Sequence, residues 1–170
     1  MKEIFRHYAK CNQLINAEVI KVLEGAPIDA YSQAVDGYFK SIGEILDHIF
    51  KADLVWINSI KSIRDCEVFA DPFFGVQRDA SKRFFNSLSE FKEERMRLDA
   101  IMAALVEELE ESDMTKILSR VTKRGDRQDK IIWKALIHIF NHETHHRGQV
   151  SQILDQLKIE NDYSNMIRIE

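Results

Sequence analysis

The segment His142-Glu-Thr-His-His146 holds the densest set of side chains in this chain that could do chemistry. Four of the six histidines, His138, His142, His145 and His146, fall within nine residues, and three of them stand four apart. On an α-helix that spacing stacks side chains on one face, about 5.4 Å per turn. Two imidazoles so placed can reach one metal ion, and a ligand from a neighbouring helix, with His48 the candidate, would complete a pocket.

The same letters match H-E-x-x-H, the helical zinc motif of metalloproteases, in which the glutamate acts as general base. A protease of that kind needs a third ligand downstream. The extended form of the motif fails here, because the chain continues Arg147-Gly-Gln-Val-Ser-Gln152. Glu160 and Glu170 remain but lie close to the chain's end, and no sheet is evident whose edge could hold a peptide. Proteolysis is therefore set aside.

The elements that must position these residues read as helices. Six glycines and two prolines in 170 residues leave few breakers, and 45% hydrophobic with 31% charged residues is the composition of a globular protein. Four amphipathic segments follow the 3.6-residue period. The first carries Ile4, Phe5, Tyr8, Asn12, Ile15, Val19 and Val22, and stops at Gly25-Ala-Pro27. The second spans about 37–63 and the third about 79–111, with Asp79 and Ser81 as candidate N-caps. Arg95 falls on the buried stripe of the third, where a stem laid along the core with its head at the edge is expected. The fourth spans about 130–157. Asp71-Pro72 and Gly75 mark a long crossover over 64–78. Ile117–Val121 and the residues after Lys123-Arg-Gly-Asp126 suggest a short β-hairpin. The predicted fold is all-α, a four-helix bundle in one domain over 1–170, with that crossover and the hairpin before the last helix.

On the fourth helix, steps of three and four run Ile139, His142, His146, Val150, so histidines replace core residues on an apolar face. Burying imidazoles there without partners would cost roughly 1–3 kcal/mol each, which a metal would offset. His48 lies three residues after Ile45 and four before Ala52, at the edge of the second helix's stripe. His138 stands on the ligand line as an alternative fourth ligand or a hydrogen-bonded structural histidine. His145 is rotated about 100° from His146. Glu143 could be a base, a partner of a ligand or an exposed charge.

Two stretches carry a family resemblance. Tyr38-Phe-Lys-Ser-Ile-Gly-Glu-Ile-Leu-Asp-His48 through Asp53-Leu-Val-Trp56 resembles the first signature of the DinB-like family, and His138-Ile-Phe-Asn-His142-Glu-Thr-His-His146-Arg-Gly-Gln149 its second. The resemblance spans nearly the whole chain. It implies a four-helix bundle binding a divalent metal through His48, His142 and His146, usually as a homodimer. It further implies kinship with S-transferases that use bacillithiol or mycothiol and with a mycothiol-dependent isomerase.

These readings give a divalent transition metal, Zn or Ni ahead of Mg or Ca because imidazole is a borderline ligand, with Mn or Fe open. Three protein ligands would leave one position for water or a low-molecular-weight thiol. Glu143 is the nearest candidate base. The alternative is a non-catalytic metal-binding or stress-response protein in which the metal is structural, and a fourth protein ligand, His138, would favour it. The net charge, 24 − 28 = −4, disfavours nucleic acid. No apolar run approaches a membrane span, and the chain opens without a signal sequence. Cys11 and Cys66 form no framework and predict a reducing, cytoplasmic setting. Phe73, Phe74 and Trp133 are the apolar surplus expected to serve a homodimer interface.

Overall fold

The computed structural model describes residues 1–121 and 124–169; Thr122, Lys123 and Glu170 lie outside the description. Four long helices dominate it: α1 (Lys2–Gly25), α2 (Ile42–Ile60), α3 (Leu88–Glu108) and α4 (Ile132–Gln156). A two-stranded antiparallel hairpin, β1 (Ile117–Val121) and β2 (Arg127–Ile131), precedes α4, with Ile117 opposite Ile131. Its Gly125 has φ of 85°, a conformation that glycine adopts without steric cost. α1 lies chiefly against α3 and α2 chiefly against α4, with lesser α2–α3 and α1–α4 contacts. That pairing is what a site shared by His48 and the α4 histidines requires.

The helix starts differ from the sequence reading. α2 begins at Ile42 with Ser41 as N-cap, and α3 at Leu88 with Ser87 as N-cap. Each cap belongs to a Ser-x-x-Glu signature. Ser41 Oγ accepts from the Glu44 amide and Ser87 Oγ from the Glu90 amide, both at 3.2 Å. Asp79 is no cap: its carboxylate accepts from the backbone and hydroxyl of Ser81 inside a turn. The crossover after α2 contains two short 3₁₀ turns, Glu67–Ala70 and Pro72–Gly75. Phe73 is wholly buried there, against the guanidinium groups of Arg78 and Arg97, so it is core and not interface surplus.

The connection from α1 to α2 is seated by a close approach at Gly43. A Cβ there would lie 2.0 Å from Arg83 Nη2 and 2.7 Å from the Tyr31 ring. With no side chain in the way, the Gly43 amide donates to the Tyr31 carbonyl at 2.8 Å. Just before the cap of α2, this connection presents Phe39.

The core is aliphatic and aromatic over most of its length, but a charged cluster interrupts it, and all four helices contribute. Arg95 is buried outright at 1% exposure, with no head at the edge. Its Nη1 donates to Asp53 at 2.6 Å and its Nη2 to Asp99 at 2.5 Å. Its position mid-helix, one turn before Asp99, gives it a carboxylate partner within the core, so it has no need to reach solvent. Asn12 and Asn16 of α1 donate to Asp99 and to Glu143. Arg147 donates to Asn12, Asn16 and Glu143 at 2.5, 3.0 and 2.9 Å.

Three carboxyl groups face two guanidinium groups here, so full ionisation would leave one negative charge in the interior. Among the described residues Asp53 Oδ1 meets no donor, and Asp53 interacts with Glu143. Burial, reinforced by the Glu143 charge, holds the Asp53 pKa well above the usual carboxylate range. A proton on Asp53 would supply the missing donor and neutralise the cluster.

Removing a partner from such a cluster strands an uncompensated charge. We expect Arg95→Leu to lower unfolding stability by about 3–5 kcal/mol in chemical denaturation. A loss below about 1 kcal/mol would show that the cluster is hydrated and not tightly paired.

Candidate metal centre

His48 comes from α2, and His142 and His146 come from successive turns of α4. Their side chains meet between the two helices. His142 Nε2 lies 3.1 Å from His48 Nε2 and 3.1 Å from His146 Nε2. One ligand atom from each of the three falls within 4.8 Å of the others. Zinc bound at about 2.0–2.1 Å separates tetrahedral nitrogen donors by about 3.3 Å, so little rearrangement is needed.

The protonation pattern fits a cation. His146 Nδ1 is 2.7 Å from Gln149 Oε1, an acceptor, so Nδ1 carries the proton and Nε2 offers its lone pair. His142 Nδ1 is buried without a hydrogen-bond partner among the described residues. Three ring nitrogens aimed at one point repel unless a shared proton or a cation lies between them. Burial pulls the His142 pKa down to about 4, and the neighbouring His146 and His48 add to the effect. Burial lowers His48 and His146 as well. All three imidazoles are therefore held neutral, the form that ligates a metal.

Phe39 covers the trio on one side. Its ring centroid is 5.1 Å from that of His48 and 5.5 Å from that of His146, edge-on to the latter. Beside it opens a cleft of about 310 Å³ between the 35–39 connection and the second half of α4.

The remaining sequence candidates separate cleanly. His138 is exposed, edge-on to Trp56, its ring 5.8 Å from that of His142, and it stands outside the trio. His145 is exposed and lies edge-on to His146. Glu143 is fully buried, and its carboxylate accepts from Asn12, Asn16 and Arg147. Burial alone would raise its pKa, but Arg95 and Arg147 outweigh that and hold it low. The two histidines of the H-E-x-x-H match thus come together while its glutamate turns into the core cluster. Cys11 and Cys66 are buried and unpaired, and burial raises both thiol pKa values.

Sequence reasoning missed the cluster around Glu143. Its signal was present as polar pairs four apart on buried stripes: Asn12 and Asn16, Arg95 and Asp99, Glu143 and Arg147. It also missed that Phe39 and Gln149 contact the histidine trio.

Comparison with known proteins agrees with this architecture. Residues 1–161 match the DinB family, and the chain belongs to that family. Protein DinB of Bacillus subtilis is 25% identical over 147 residues, covering 85% of this chain and 81% of that protein. The crystal structure of a DinB-like protein from Bacillus cereus superposes with a TM-score of 0.57 at 19% identity, covering 88% of this chain and 91% of that one. Among the described residues no helix is long and apolar enough to cross a membrane.

The depressed histidine pKa values predict how metal affinity depends on pH. Three unperturbed imidazoles with pKa near 6.5 would weaken binding about sixfold between pH 7.5 and 6.5 through proton competition. Here competition at His142 begins only as pH falls toward about 4, and burial lowers His48 and His146 as well, so apparent zinc affinity should change less than about threefold over that interval. Competition calorimetry at the two pH values checks this, and a sixfold loss would contradict neutral, pre-desolvated ligands.

Proposed function

We propose that this chain is a metal-dependent transferase of the thiol S-transferase kind, holding one divalent transition ion on His48, His142 and His146. The convergence of three Nε2 atoms from two helices carries this reading. Zn or Ni suits three imidazoles best, with Mn or Fe also compatible. When bound, the ion would supply the Lewis acidity that lowers the pKa of a thiol or water at the remaining position.

The chain's own residues have distinct tasks in this scheme. Gln149 fixes the His146 tautomer. Phe39 limits water at the ligands. Glu143 and Arg147, each one residue beyond a ligand, tie α4 to Asn12 and Asn16 of α1. Glu143 is in this reading a positioning residue and not the base. No protein thiol takes part, since both are buried.

The alternative, a non-catalytic metal-binding or stress-response protein, needs the ion to close its coordination on protein. His138 was the candidate fourth ligand, and its place beside Trp56, outside the trio, favours the open site. A cytoplasmic setting and a homodimer belong to the proposal as well. For the homodimer, exposed Ile4 and Tyr8 on α1 and Ile137 on α4 replace Phe73 as the support. Light scattering at the mass of one chain would remove it.

Two sets of variants test the assignment. His48→Ala and His142→Ala should each reduce bound metal from one equivalent to well below half, measured by elemental analysis after gel filtration. Cys11→Ser with Cys66→Ser should keep full stoichiometry and any thiol-transfer activity, at some cost in stability because both sites are apolar. Full stoichiometry in either histidine variant, or loss of activity in the cysteine pair with metal retained, would overturn the corresponding role.

A further inference from the structure

The cleft beside the histidines has a chemistry of its own. The wall from α4 presents three carboxamides, Gln149, Gln152 and Gln156, and the facing connection presents Phe39 and Asp36. At about 310 Å³ it is at the small end of ligand sites, which run roughly 300–1,000 Å³. Among the described residues lining it there is no lysine or arginine, and Asp36 is the one carboxylate; His145 stands among the liners as well. An anionic ligand would meet no lysine or arginine there, and the Asp36 carboxylate would repel it. A neutral ligand would meet amides and an aromatic face.

Gln149 joins this cleft to the metal centre. Its Oε1 accepts the His146 Nδ1 proton, which fixes the orientation of the carboxamide. The NH2 group at its other end is thereby committed as a donor, and Gln149 also lines the cleft. One side chain therefore orients a ligand of the ion and offers hydrogen bonds to whatever lies next to it.

We propose that this cleft binds the second, non-thiol reactant, and that this reactant is an uncharged molecule with a carbonyl or similar acceptor and an aromatic or alkyl portion. Its acceptor takes a hydrogen bond from the Gln149 NH2 group, with Gln152 and Gln156 further along the wall, and its apolar portion lies on Phe39. The reactant's role rests on the three-histidine reading: Gln149 and Phe39 line the cleft and touch the trio, while the three histidines themselves do not line it.

Two substitutions separate the parts. Gln149→Glu keeps an oxygen to accept from His146 but removes the NH2 donors. At Gly148 a Cβ meets nothing within 4 Å, so Gly148→Leu should fill the cleft while improving helix propensity. The probes are N-benzylacetamide, a neutral aromatic amide, and phenylmethanesulfonate, an anion of similar size that ligates metals weakly. Zinc-loaded full-length protein is titrated with each, followed by amide chemical shifts and calorimetry.

The expected result is millimolar binding of the amide, with shifts concentrated at Phe39, Gly148, Gln149 and Gln152. The sulfonate should bind at least about fivefold more weakly, because no lysine or arginine in the lining offsets its lost hydration and Asp36 repels it. Gln149→Glu should keep one zinc and lose about fivefold in amide affinity. Gly148→Leu should keep zinc and abolish amide binding. Absence of amide binding to the zinc-loaded protein, equal binding of the sulfonate, or amide binding indifferent to both substitutions overturns the proposal. Should the wild-type chain take up no zinc, the three-histidine reading fails alone, and the same titrations on the metal-free protein decide the cleft.

Discussion

The arrangement depends on one buried constraint, the charged cluster through which Asn12, Asn16, Asp53, Arg95, Asp99, Glu143 and Arg147 join all four helices. Apolar packing tolerates small rotations of a helix about its axis, because it is non-directional. Hydrogen-bonded ion pairs do not, because a displaced charge in the interior loses several kcal/mol. Glu143 and Arg147 follow His142 and His146 by one residue, a rotation of about 100° on the helix. Holding the first pair in the core cluster sets the rotation at which the second pair meets α2.

The same cluster explains the split between the two halves of the H-E-x-x-H match. A glutamate beside a metal must stay within reach of a bound reactant. Here it is engaged by Asn12, Asn16 and Arg147, and Asp53, whose pKa burial raises, completes its surroundings. Asp99, pushed up to about 6 mainly by burial despite the Arg95 guanidinium, belongs to the same balance of charge. Among the described residues the histidine trio therefore has no carboxylate grouped with it, and an ion held there would meet neutral imidazoles.

Much of this was legible in the sequence. The periods of three and four gave four helices and the histidine line, and Gly125 between two alternating runs gave the hairpin. Helix starts were misplaced because hydrophobic period continues into the flanking segments, where Phe39 and Phe84 are half-buried, while the Ser41 and Ser87 caps are local signals of a different kind. Arg95 was misread for a physical reason: a guanidinium on a core stripe snorkels unless a carboxylate waits in the interior, and Asp53 lies 42 residues away in the chain. The cleft was illegible for the same cause. Its walls come from the 35–39 connection and α4, and no periodicity relates them.

The central claim, an ion held by three imidazoles with one position open, is most directly measured by X-ray absorption at the zinc edge of the loaded protein. The account predicts a first shell of three imidazole nitrogens and one oxygen, all at about 2.0–2.2 Å, in which small thiols replace the oxygen with sulfur at about 2.3 Å. A shell of four imidazoles, unchanged by thiols, would contradict it.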